Sequence, residues 1–189
     1  MRRIVVSEFV SLDGVMEGPG PDDPYVHAGW TFSFPDPVGM QYKLDEVMGH
    51  DALLLGRVTY EGFAKAWPGR TDDIGFAAKM NGMPKYVVSN TLELAEWDNT
   101  AIVRGEPFEE IAGLKETHGG DILVAGSGQL VQALLARGLV DELRLMMFPI
   151  VLGRGKRLFG SSPDPVGLEL AGSTQLKSGT LILTYHPAN

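Results

Sequence analysis

Leu53-Leu54-Leu55-Gly56-Arg57-Val58-Thr59-Tyr60-Glu61 is the stretch whose reading decides the fold. An aliphatic run ends at a glycine, and helical spacing begins with the next residue. A short, continuously apolar run reads as a strand covered on both faces. A helix that starts directly after it exposes unpaired N–H groups and the positive end of its dipole, which suits phosphate. Gly56 lets a ligand approach the backbone closely. Arg57 offers a bidentate fork and Thr59 a hydroxyl. The plainer reading of the same residues is an ordinary strand–helix turn with a surface arginine.

Ile122-Leu123-Val124-Ala125-Gly126-Ser127-Gly128-Gln129-Leu130 repeats the arrangement. It is not the Rossmann fingerprint, because the third glycine is absent and no acidic residue follows at the required spacing. Val87-Val88-Ser89-Asn90-Thr91 is another strand end, with hydroxyls and an amide. In a parallel α/β sheet such turns gather at the carboxyl ends of the strands, where ligands bind at a topological switch. Two anion sites on one edge suit a dinucleotide.

Working outward, strands are expected over residues 4–10, 52–55, 86–88, 122–125, 143–151, 168–171 and 180–185. Helices are expected over residues 37–49, 58–67, 73–80, 107–115 and 129–136, the first capped by Asp36 ahead of Pro37. Strand and helix alternate at first, and only strands follow. That order predicts a single α/β domain over residues 1–189: a mixed, mostly parallel central sheet, an antiparallel C-terminal edge and flanking helices. The loop over residues 14–37 exceeds the ~15 residues beyond which loops are usually functional or mobile.

Composition narrows the function. The chain has 189 residues, 44% hydrophobic and 21% charged, no cysteine and a net charge of −8. Disulfides and thiolate metal sites are excluded, and His27, His50, His118 and His186 lack ligand spacing, so no metal is expected. The acidic balance argues against nucleic acid and anionic membranes as partners. No apolar run approaches the ~20 residues of a membrane helix. The basic start is broken at Ser7-Glu8, before a signal-peptide core forms. A cytoplasmic protein acting on a small molecule is expected.

The residues now carry a resemblance. Gly56-Arg57-Val58-Thr59-Tyr60-Glu61 resembles the Gly-Arg-x-Thr-Trp/Tyr-Glu motif of dihydrofolate reductases. Val88-Ser89-Asn90 and Gly126-Ser127-Gly128 are similar to their Leu/Val-Ser-x segment and Gly-Gly-Gly turn. Ser11-Leu12-Asp13-Gly14 and the Pro-x-x-x-Gly-x-Gly-x-x-Leu-Phe run from Pro149 to Phe159 resemble the riboflavin-pathway reductase domain. The resemblance implies a dihydrofolate-reductase-like fold and hydride transfer from NADPH to a planar heterocycle (a pterin or an aminopyrimidine) or a small carbonyl compound. It also implies roles. Arg57 would meet the 2′-phosphate. Gly56, Val58 and Thr59 would hold the pyrophosphate from one side, and Gly126, Ser127, Gly128 and Gln129 from the other. Ser89 and Asn90 would lie by the adenosine. Phe9 and Val10 would border the nicotinamide, with Asp13 in the covering loop as a source of protons.

The departures concern the substrate. Counting back from Gly56, Met40 stands where dihydrofolate reductases keep a helix carboxylate, and Asp36 lies a turn away. Lys43, Lys156 and Arg157 are the basic candidates for a ribosyl phosphate. The zinc deaminase that accompanies some riboflavin-pathway reductases needs cysteines this chain lacks. Trp30, Phe32 and Phe34 alternate and suit stacking on a planar ring, or core packing. The apolar run over residues 143–151 suggests a homodimer interface. The rival functional reading is a ligand-binding protein that keeps the reductase fold without turnover.

Overall fold

The computed structural model describes residues 1–160 and 164–188. In chain order the elements are β1 (Ile4–Ser11), α1 (Pro37–Met48), β2 (Ala52–Gly56), α2 (Arg57–Ala66), α3 (Phe76–Gly82), β3 (Lys85–Val88), β4 (Thr100–Val103), α4 (Pro107–Glu116), β5 (Ile122–Val124), α5 (Gly128–Leu135), β6 (Glu142–Phe148), β7 (Leu168–Gln175) and β8 (Leu181–Pro187). They form one eight-stranded sheet in the order β4-β3-β2-β5-β1-β6-β8-β7. Strands β1 to β6 pair in parallel, whereas β8 runs antiparallel to β6 and β7 antiparallel to β8. This is the mixed sheet with an antiparallel C-terminal edge that the sequence predicts.

The central strands are apolar throughout because both faces are covered. Ile4, Val6, Leu54, Ile122 and Val124 pack with Ile111, Val131 and Leu134 from α4 and α5. On the other face Leu53, Leu55 and Leu123 pack with Val47, Tyr60 and Met80 from α1, α2 and α3. No helix among the described residues is long and apolar enough to cross a membrane.

Several boundaries differ from expectation, each for a local reason. Helix α3 begins at Phe76 rather than residue 73, because the Asp72 carboxylate captures the N–H groups of Ile74, Phe76 and Ala77 at 3.1, 3.0 and 2.6 Å. Strand β6 stops at Phe148 rather than residue 151, where Pro149 has no N–H to give the ladder. Strand β7 runs on to Gln175 past an irregularity between Leu170 and Gly172. Strand β4 was not expected; it pairs in parallel with β3, and no helix bridges residues 89–99 between them. The apolar run of β6 also has a simpler cause than a subunit contact. β6 lies between β1 and β8, with Leu143 and Leu145 in the core.

One detail positions the site. Strand β5 ends at Val124, level with Val6 of β1 and Leu54 of β2, while β1 continues to Ser11 and β2 to Gly56. The early stop leaves a notch between β1 and β2 at the carboxyl edge of the sheet.

Candidate functional site

The notch is closed by glycines. Gly56 and the Gly126-Ser127 turn touch so closely that a β-carbon at Gly56 would collide with Ser127, and Gly56 N–H donates to the Gly126 carbonyl at 3.2 Å. Gly126 has φ +94, and a β-carbon there would stand 2.7 Å from Thr59 Oγ1. The Gly126–Ser127 peptide bond is cis. Gly56, Thr59, Gly126, Ser127 and Gly128 are thus brought together, with Gln129 exposed beside them.

Two helices open at this point. Gly56 is the N-cap of α2 and Ser127 the N-cap of α5, and neither helix has a side-chain capping bond. Helix α1, by contrast, is capped by Asp36, whose carboxylate accepts from Val38 and Gly39. Uncapped first turns present N–H donors and a partial positive charge to whatever lies between them. The residues present fit an anionic diphosphate.

The far side of the notch follows from strand register. Gly56 pairs with Val88, and Val88 with Val103, so Arg57, Ser89 and Arg104 stand one step beyond the ladder side by side. Arg57 is exposed and paired with Glu61 at 2.8 Å; Val58 is exposed next to it. Ser89 Oγ accepts from Thr91 and Leu92, and Asn90 Oδ1 accepts from Gly105 N–H at 3.0 Å, which ties the ends of β3 and β4 together. Arg104, bonded to the Leu92 carbonyl, is a second cation here that sequence reasoning missed. The signal was present as Thr100-Ala101-Ile102-Val103 before Arg104-Gly105.

At the other end of the notch, Phe9 lies half-exposed on β1. Phe148 is edge-on to Phe9, Trp30 and Phe34, with centroid separations of 5.7, 5.3 and 5.9 Å. Trp30 is buried and donates its indole N–H to the Glu17 carbonyl at 2.9 Å, so it is a fixed wall rather than a free stacking face. Phe32 is exposed and outside this group. Val10 faces the opposite core and offers the notch only its backbone. Lys43 reaches from α1 to donate to Ser7 Oγ at 2.9 Å and to Glu46, and its Nζ lies 5.1 Å from the Phe9 centroid.

The carboxyl groups sort by surroundings. Asp13 accepts from Ser11 Oγ and from the N–H groups of Leu152 and Gly153, and these bonds hold it down at about 2. It is a fixed carboxylate that joins two loops, which corrects the expectation of a proton source. Burial works to raise Asp36, but N–H donors from Ser178, Gly39 and Val38 outweigh it and hold the group low. Asp36 is therefore a cap, and Met40 points outward. Lys156 and Arg157 are engaged with Glu17 and Asp13, stitching the loop after β1 to the segment after β6. Glu8 is the exception. Burial pushes its carboxyl up to about 8 despite Lys43 and a bond from Gly126, and its Oε1 has no partner among the described residues.

The family described as the RibD C-terminal domain matches residues 2–182. The uncharacterized protein YyaP of Bacillus subtilis (strain 168) is 31% identical over 189 residues, covering 98% of this chain and 95% of that protein. YwjB of the same organism, also uncharacterized, is 25% identical over 174 residues, covering 92% of each. Among solved structures, the "Putative riboflavin biosynthesis protein" of Shewanella sp. PV-4 has a TM-score of 0.75 at 23% identity, covering 99% of both chains. Dihydrofolate reductase from Enterococcus faecalis, complexed with NADP(H) and RAB-propyl, has a TM-score of 0.65 at 17% identity, covering 99% of this chain and 97% of that one. These two likenesses are of fold.

Proposed function

This chain belongs to the RibD C-terminal domain family, and from that premise we propose that it is an NADPH-dependent reductase of a planar heterocycle or small carbonyl compound. One observation carries the reading: two helix N-termini without side-chain caps open onto the same notch, whose glycines leave the backbone bare. A dinucleotide pyrophosphate suits that place, held by Gly56, Val58 and Thr59 on one side and Gly126, Ser127, Gly128 and Gln129 on the other. Arg57 and Arg104 flank Ser89 and Asn90, where a 2′-phosphate and the adenosine would sit. The cofactor supplies a hydride; the protein's part is to orient it, and to keep the substrate over Phe9 between Trp30 and Lys43.

Titration calorimetry tests the binding, with NADPH expected to bind more tightly than NADH. Failure of NADPH to bind would overturn the reading. Loss of NADPH absorbance with pterins, aminopyrimidines and carbonyl compounds then tests turnover. A second reading, a dinucleotide-binding protein without turnover, is favoured by the absence of a helix carboxylate: Met40 is exposed and Asp36 is a cap. Binding without turnover on every class of compound would select it.

We also infer a homodimer, placed on the β7–β8 hairpin rather than on β6. Leu168, Leu183 and Tyr185 are only half-buried and Leu170 is exposed on the outermost strands of the sheet. Light scattering should give twice the monomer mass, and Leu170→Asp should halve it. A monomer across dilution would refute the dimer.

A further inference from the structure

Strand pairing ranks the residues beneath α1. Val5 lies beside Glu142, Ser7 beside Arg144, Phe9 beside Met146 and Ser11 beside Phe148. The ranks are ionic toward the amino edge of the sheet and aromatic toward the carboxyl edge. Lys43 meets the sheet where the two regimes change over. Its ammonium has three N–H bonds. One goes to Ser7 Oγ at 2.9 Å and one to Glu46. The third is left for a molecule lying against Phe9.

The anchor behind Lys43 is fixed. The Glu46 side chain is 1% exposed. Its other oxygen meets Arg144 at 3.4 Å, and Arg144 holds Glu142 at 2.5 Å. Burial works to raise Glu46, but Lys43 outweighs it, and the group stays ionised. A buried carboxylate so placed restrains the stem of Lys43 and fixes where its ammonium points.

The other acids near the notch are unsuited to give a proton to a bound ring. Asp13 is held ionised between loops, and Asp36 caps α1. Glu8 alternates with Ser7 and Phe9 along β1, and its carboxyl is engaged by the Gly126 N–H rather than turned toward Phe9.

We propose that Lys43 is the proton donor of the reaction, with Ser7 and Glu46 as its positioning residues. The inference rests on the reductase reading and deepens it. In the reduction of a polar C=X bond, the carbon gains the hydride that the reduced nicotinamide gives up as it is oxidised. The π pair moves to the heteroatom, which bonds a proton as a Lys43 N–H bond breaks. Lys43 is left as an amine and regains its proton from water, while Glu46 stays ionised throughout.

Isatin, a planar ring ketone, is the probe. Its binding is read by quenching of tryptophan emission and its reduction by NADPH absorbance. Lys43→Arg keeps the charge and the hydrogen bonds but does not release a proton at working pH. It should bind isatin and NADPH within about two-fold of the native protein yet lose ~100-fold or more in kcat, the usual contribution of a general acid. Glu46→Gln should lower kcat about ten-fold while isatin affinity stays within about two-fold, a split that a merely structural role does not predict. Lys43→Arg turnover within about three-fold of native, or a native protein that binds NADPH but neither binds nor reduces isatin, would overturn the assignment of Lys43 alone. A native protein that does not bind NADPH removes the reductase reading, and this proposal with it.

Discussion

Replacing Glu61 tests the role of Arg57 more sharply than replacing Arg57 itself. The arginine already has a partner; its Nη1 lies 2.8 and 3.1 Å from the two Glu61 oxygens. Both side chains are about two-fifths exposed (43% and 40%), so the pair is a surface i,i+4 bridge. Such a bridge contributes only ~0.3–0.5 kcal/mol. A hydrogen bond from a guanidinium to a phosphate contributes ~1.5–3 kcal/mol. If the arginine exchanges one for the other, the net gain is ~1–2.7 kcal/mol, or roughly 5- to 80-fold in affinity. Arg57→Ala should weaken NADPH by that factor and leave NADH unchanged. Glu61→Ala should act in the opposite direction, tightening NADPH about two-fold by freeing Arg57 and removing a like charge. Titration calorimetry with both dinucleotides reads all four values. Equal losses for NADPH and NADH in Arg57→Ala, or a Glu61→Ala protein that binds NADPH more weakly, would refute the reasoning.

Arg104→Ala should cost NADPH ~1–2 kcal/mol and spare NADH, because it removes the second cation beside Ser89; equal loss of both in the same titration counts against that placement. Gly126→Val should abolish NADPH binding and also destabilise the fold by ~1–3 kcal/mol, since its β-carbon meets Thr59 at φ +94; urea unfolding separates the two effects. Glu8, raised from 4.5 to about 8, stabilises the fold fully below its unfolded value and loses that contribution as pH rises through the interval. Glu8→Gln should therefore abolish a decline in unfolding free energy between about pH 4.5 and 8, and an unchanged slope would exclude Glu8 as its cause. Asp13, lowered from 3.8 to about 2, acts in the opposite sense: its contribution is present at neutral pH and lost as pH falls through that window, and Asp13→Asn should remove the acid-side loss seen by circular dichroism.

Much of the carboxyl edge is legible in the sequence because glycine there ends apolar runs. Gly56 and Gly126 stop aliphatic segments at the point where helical spacing begins, and both turns fall where those patterns put them. The β3–β4 end is less legible. Thr100–Val103 is short and half-exposed, so it lacks the continuous apolar signature of β2 or β5, and Arg104 went unread with it. The carboxylates are legible as residues but not as roles. Asp13 looks like a loop acid until the chain returns and places Leu152 and Gly153 N–H groups on it. Lys43 and Glu46 are visibly a helical i,i+3 pair, but nothing local announces that Ser7 and Arg144 lie beneath them, since that depends on the pairing of β1 with β6.

The thin crossover between β3 and β4 has a thermodynamic consequence. β4 is a terminal strand of the sheet, joined to it by one neighbour and by no helix in its connection. A strand paired on one side only opens locally at a free energy below that of global unfolding, even with Trp97 of its connection in the core. Arg104 and the Asn90–Gly105 tie ride on that strand, whereas Gly56 and Gly126 ride on buried ones. Warming would thus fray the Arg104 side of the notch before the Gly56–Gly126 side. The proposed preference between the phosphorylated and unphosphorylated dinucleotide would then have a melting curve of its own, below that of the fold.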